Sequence, residues 1–365
     1  MNAFLSCTPT VFLIEKRYEI LLNSYDKGVF AIEINNSLFY EENNGTLSSQ
    51  KTYAKISVPQ KLLNEHAKYT VIFRKTIKRQ AYFSKLEAPQ YTTFEFKPLL
   101  KKDGFNIYHI ADVHYRFNLA VKTCSFFGDD LDLLVVNGDM CEVETKTNYY
   151  EICKFTGDIS KGKIPVVFSR GNHDTRGEMA ENFTDYFPAV NKKPYYYFET
   201  ENLCGIVSDC GEDKSDSNEE YGGTNAFHTY RINQNKYLAS LPKATKPCFA
   251  ISHICPSCTT ENIGNVFDIE REIYSKWNAH YQRIGVKFML CAHIHKAYIL
   301  QPNDKRCTIY NPYPIIFGSE TTEDDIIGLA LTLNNNLLTV RFTNCSLQVV
   351  KEHTLDLSTG KIINK

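Results

Sequence analysis

Two patterns of apolar spacing divide the chain. Up to about residue 98, short runs such as TVFLIEKRYEIL, GVFAIEI and KYTVIFRKTI are separated by polar turns, among them the Asn-Gly of NNGT at Asn43 to Thr46. Many short strands with regular turn signals predict an all-β sandwich. From about residue 102 the runs become continuous: FNIYHIA, LDLLVVN, IPVVFS, PCFAIS and KFMLCA, separated by segments long enough for helices. Strands with unbroken apolar character are buried on both faces, which predicts an α/β fold with covered sheets. The joint is placed at the polar, glycine-containing EFKPLLKKDG. Residues 1–98 are therefore expected to form a β-sandwich domain, and residues 102–365 an α/β domain.

Composition narrows the class without changing this picture. The 365 residues are 43% apolar and 23% charged with a net charge of -1, so the chain is ordinary for a globular protein. Bulk charge does not favour nucleic acid, and no basic patch for it stands out. No apolar stretch approaches the roughly 18 to 20 residues of a membrane span, so no membrane partner is expected. The N-terminal MNAFLSCTPTVFLIEKRYEI lacks a basic leader and a cleavage site, which predicts a cytoplasmic protein. The 12 cysteines are scattered, as befits thiols in a reducing compartment. Cys255 and Cys258 in CPSC have C-x-x-C spacing, but a structural zinc site needs a second pair and none exists.

The chemistry sits at the strand ends. The five continuous runs exit into ADVH, NGDM, GNHD, SHIC and AHIH. Ligands in open α/β sheets bind outside the carboxyl ends of strands, so Asp112, His114, Asp139, Asn172, His253, His293 and His295 are expected to converge, with His173 to spare. Mixed imidazole and oxygen donors suit zinc, manganese or iron, whereas calcium would take oxygen alone. Seven ligands exceed what one ion can use while holding substrate. Two divalent or trivalent ions sharing a carboxylate fit the count.

The ordered series Asp112-x-His114, Gly138-Asp139, Gly171-Asn172-His173-Asp174, His253 and His293-x-His295 resembles the calcineurin-like metallophosphoesterase superfamily, over about Phe105 to Ser319. One departure is Ala292, where the last motif usually opens with glycine. The resemblance implies a four-layer α/β/β/α sandwich, here preceded by the small all-β domain. The tail from YPIIFGSE through LALTLNNNLLTVRFTN alternates as closing strands of its second sheet would.

By that resemblance, Asp112, His114 and His295 hold one ion, Asn172, His253 and His293 the other, and Asp139 bridges them. His173 faces substrate and Asp174 orients it. The implied reaction is hydrolysis of a small-molecule phosphoester by a hydroxide between two metals, with monoester against diester open and the diester favoured. Arg170, Tyr221 and Arg231 are candidates for substrate contact. An N-terminal β domain ahead of this fold is also similar to the purple acid phosphatases. Those carry a metal-binding tyrosine three residues after the bridging aspartate, where this chain has Glu142, so no tyrosinate-to-iron band is expected. The alternatives are a non-catalytic scaffold that keeps the fold for binding, and a hydrolase of a non-phosphate bond.

Overall fold

The computed structural model describes residues 4–101, 103–257 and 263–363. All five continuous runs form strands: Phe105–Ile110, Leu133–Asn137, Pro165–Ser169, Cys248–Ser252 and Val286–Cys291. The first three lie parallel in one large sheet, and the last two lie parallel in a second, six-stranded sheet.

Alternate residues of each strand serve different layers. In Leu133–Asn137, Leu133 and Val135 join the core between the sheets, together with Phe249, Ile251 and Leu290. Leu134 and Val136 join a second core with Ala120 of helix Phe117–Cys124 and Ile152 and Phe155 of helix Lys146–Ser160. Across the molecule, Ala250 and Met289 cluster with Leu238, Trp277 and Tyr281 of helices Phe227–Ser240 and Arg271–Ile284. The outcome is the four-layer α/β/β/α sandwich. It accounts for runs without polar alternation, because neither face of these strands meets water.

The N-terminal segment is β apart from the short helix Gln60–His66. Strand Arg17–Ile34 pairs along its first half with Thr10–Ile14 and Lys51–Pro59. After a register shift between Asn23 and Gly28, its second half pairs with Lys68–Lys78. Such an irregularity lets one strand turn a corner and serve two layers. The expected joint at 98–102 is crossed by hydrogen bonds: Thr10–Ile14 pairs in parallel with Pro165–Ser169, setting Val11 opposite Pro165. Just beyond it, the Glu15 N–H donates to Tyr197 O and Glu15 O accepts from the Glu199 N–H, both at 2.9 Å. One N-terminal strand therefore ties both sheets together.

The tail needs a correction. Ile315–Gly318 pairs with Val286–Cys291 in the second sheet, as expected. Ile326–Asn334 instead pairs antiparallel with Phe105–Ile110, and Leu337–Thr343 follows it, both in the first sheet. Alternation identifies a strand, but which edge it covers is decided by tertiary pairing. In CPSC, Cys255 is half-buried and Cys258 lies outside the described residues. No helix among the described residues is long and apolar enough to cross a membrane.

Candidate metal centre

The five strand ends meet at one side of the sandwich, and the backbone there is unusual. Asp112, His114, Asp139, His293 and His295 all have positive φ, at 50°, 44°, 54°, 73° and 51°. Left-handed non-glycine residues cost about 1–3 kcal/mol each and collect where function demands a particular side-chain direction. Two glycines allow the loops to close up. A Cβ on Gly171 would overlap the Asp139 carboxylate, and one on Gly138 would strike the Gly171 backbone.

Six of the seven expected ligands fall into two compact groups. Donor atoms of Asp112, His114 and His295 lie within 4.8 Å of one another, as do those of Asp139, His253 and His293. Asn172 joins the second group: its Oδ1 is 3.0 Å from His293 Nδ1, 3.2 Å from Asp139 Oδ2 and 3.3 Å from His253 Nε2. The groups touch through His253 Nε2, 3.0 Å from Asp139 Oδ2 and 3.6 Å from Asp112 Oδ1.

Surrounding atoms aim these donors. Asp112 Oδ2 accepts from the Ser319 hydroxyl and, at 3.0 Å, from the His293 N–H. Asp139 Oδ1 accepts from the His173 N–H at 2.9 Å. His253 Nδ1 donates to the Asn137 carbonyl at 2.6 Å, which leaves Nε2 for the cluster. Burial opposes charge on His253, but Asp139 and Asp112 outweigh it and hold the imidazole up at about 10. Burial likewise opposes charge on Asp139, yet His253 pulls its carboxyl below the usual carboxylate range.

The donor set fits a cation. Asp112 is fully buried and its Oδ1 has no hydrogen-bond partner. The Asn172 amide lies among the same carboxylate and imidazole atoms, its other end 3.2 Å from the Arg176 guanidinium, and can offer its oxygen to a bound ion. A buried carboxylate oxygen without a donor is costly in a chain of these atoms only, and favourable around a positive ion.

The remaining expected residues divide. His173 stands beside the cluster, its ring centroid 5.2 Å from that of His114, with part of its side chain exposed. Asp174 does not orient it. The carboxylate accepts from the backbone N–H groups of Gly171 at 2.7 Å and Asp139 at 3.3 Å, and so braces the loops from below. The tight turn His173–Thr175 sends adjacent side chains in different directions. Glu142 takes the expected role: His173 Nδ1 is 2.9 Å from its carbonyl oxygen and 3.1 Å from its carboxylate, which also lies 2.9 Å from His114 Nδ1.

Arg170, Tyr221 and Arg231 are each held by internal partners, and Arg170 and Tyr221 also line an open cleft with Arg176. Arg170 donates to Asp209 at 2.8 Å among the rings of Phe183, Phe227 and Tyr230. Arg231 is fully buried, donating to the carbonyls of Cys210 at 2.8 Å and Glu212 at 2.5 Å and to Glu270 at 3.2 Å. Tyr221 is buried against Glu212 and Asp213. The residue that sequence reasoning missed is Arg176, two positions past the GNHD motif. It forks onto Glu212 at 2.7 and 2.8 Å and brings Nη1 within 3.4 Å of His173. Its position straight after the motif was the available signal.

Comparison with known proteins agrees with this geometry. The purple acid phosphatase PPD1 of yellow lupin (Lupinus luteus) superposes with a TM-score of 0.65 at 13% identity, covering 98% of this chain and 75% of that one. PhoD superposes with a TM-score of 0.59 at 9% identity, covering 100% and 93%. At such identities the likeness concerns the fold alone. A Fibrobacter succinogenes protein named a probable cyclic nucleotide phosphodiesterase is 32% identical over 90 residues, 25% of this chain and 34% of that protein. This chain thus spans about a third of the length of the curated relative that it matches. The sequence model of the calcineurin-like phosphoesterases matches residues 105–297, more than half of the chain, which therefore belongs to the calcineurin-like phosphoesterase family.

Proposed function

We propose that the chain hydrolyses phosphoester bonds with two metal ions. Asp112, His114 and His295 would hold one, Asn172, His253 and His293 the other, with Asp139 between them. The observation that carries this reading is the convergence of six histidine and aspartate side chains in two adjoining groups around the fully buried Asp112, whose Oδ1 has no hydrogen-bond partner. Manganese, iron and zinc all accept this donor mixture. When bound, such ions neutralise charge on a phosphoryl group and acidify water.

The chain's own atoms do the positioning. Ser319, the His293 and His173 backbone and the Asn137 carbonyl each occupy one atom of a ligand and leave the other facing inward. Glu142 holds His173 at Nδ1, which leaves Nε2, 3.4 Å from Arg176 Nη1, as the atom to give a proton to the leaving oxygen. Arg176, fixed by Glu212, adds positive charge beside it where phosphate oxygens would lie. Replacing His173 by Ala should lower kcat by about 10² to 10⁴ with metal content unchanged. Loss of metal in that variant would overturn the division of roles.

The relative named a cyclic nucleotide phosphodiesterase favours a small diester as substrate. The test compares a nitrophenyl monoester with the bis-nitrophenyl diester on manganese-loaded protein, with Asp139→Asn as control. Diester hydrolysis that the control loses supports a phosphodiesterase. Preference for the monoester would make it a phosphatase, and silence on both with metal bound would promote the scaffold reading.

A further inference from the structure

The N-terminal β region carries a surface that the metal centre does not use. Strand Lys68–Lys78 turns back at Lys85–Leu86, and the tip between them places Tyr82 and Phe83 side by side, 87% and 84% exposed. The tip is shaped: Arg79 Nη1 donates to the carbonyls of Gln80 at 2.8 Å and Tyr82 at 3.2 Å, and Ser84 meets Ser49 of the neighbouring loop at 2.6 Å. Beside it lies a groove of about 830 Å³, to which Leu38, Tyr40, Leu47 and Tyr91 add further exposed apolar surface. Rings of this size gathered in water on one patch mark an interaction surface.

Charge identifies the partner. From Arg74 to Leu86 the chain reads RKTIKRQAYFSKL, five cations and no acid, in a protein whose net charge is -1. Lys75 pairs with Asp26 at 2.9 Å. Among the described residues no carboxylate pairs with Lys78, Arg79 or Lys85, all of them exposed. Two adjacent, almost fully exposed rings on the rim of this groove, flanked by cations, match the interface of an anionic bilayer: the rings enter the headgroup layer and the cations meet lipid phosphates. A second copy of the chain fits poorly, because a two-fold contact would set the same cations against each other.

We infer that this aromatic and basic tip docks the protein on membrane surfaces rich in anionic phospholipid. The expectation of no membrane partner rested on the lack of a spanning segment, and a peripheral contact needs none. The inference is independent of the metal centre.

The test is co-sedimentation of the full chain with phosphatidylcholine vesicles, with and without phosphatidylglycerol. Binding should be at least about ten-fold tighter to the anionic vesicles and weaken with salt. Tyr82→Ser with Phe83→Ser, and separately Lys78→Glu with Lys85→Glu, should each reduce it by about ten-fold or more while leaving hydrolysis of a soluble nitrophenyl ester unchanged. No binding to anionic vesicles, or binding that survives either double substitution, would overturn the inference. So would capture of a single-stranded oligonucleotide, or self-association, through the same residues without vesicle binding.

Discussion

Two clusters of buried polar side chains, both built partly on the loop after Ser169, follow opposite rules. Around Arg231 every charge is answered: Arg231 reaches two carbonyls and Glu270, Arg176 forks onto Glu212, and Arg170 shares Asp209 with Tyr230 at 2.8 Å. Around Asp112, a fully buried carboxylate oxygen is left without a hydrogen-bond partner. The first cluster is complete with the chain's own atoms. The second leaves an acceptor that a cation would satisfy, although both use similar residue types at similar depth. Burial of charge is therefore no guide to function by itself, and the pairing of each atom is.

Substitutions should separate the two clusters. The largest effect is expected from Asp139→Asn, which should lower phosphoesterase activity by about 10³-fold or more and reduce bound metal while the chain stays folded. An active, fully loaded variant would break the comparison. Arg231→Ala should do the reverse, costing about 3–5 kcal/mol of stability by stranding its buried partners. Activity per folded molecule and metal content should be kept, and denaturant unfolding alongside a metal assay would check both.

A smaller effect is expected from Ser319→Ala, which removes one of the two donors to Asp112 Oδ2 and should weaken metal affinity by about 10- to 100-fold. Unchanged affinity in a metal titration would remove Ser319 from the aiming shell. The smallest concerns Glu144, fully buried beside Asp174, where burial first and the neighbouring carboxylate second push its carboxyl up to about 10. Between the ordinary glutamate value and that one, the folded state binds a proton that the unfolded state releases, so rising pH costs stability through this window. Glu144→Gln cannot ionise, and its melting temperature relative to the parent should climb from about pH 5 to about pH 9. Parallel melting profiles would contradict this.

Much of the site was legible because each ligand lies within a few residues of a continuous apolar run, so strand ends and donors could be read together. The four layers were legible for the same reason. What stayed hidden depends on contacts between distant segments. Ser319 lies 207 positions from the carboxylate that it holds, and Thr10–Ile14 pairs with a strand about 155 positions later. Asp174 was assigned to its sequence neighbour His173, but the turn points them apart and gives His173 to Glu142. Glu212 and Asp213 lie in an acidic run after Ser208, yet both are buried because arginine, tyrosine and lysine side chains draw them in. Composition cannot display such pairing.

The most direct test of the central claim is the metal stoichiometry of chelator-stripped protein dialysed against manganese, measured by elemental analysis beside Asp139→Asn. The account predicts close to two ions per chain in the parent, fewer in the variant, and hydrolysis that returns with the metal. A parent that binds no ion, or that hydrolyses the diester equally well when stripped, would contradict it.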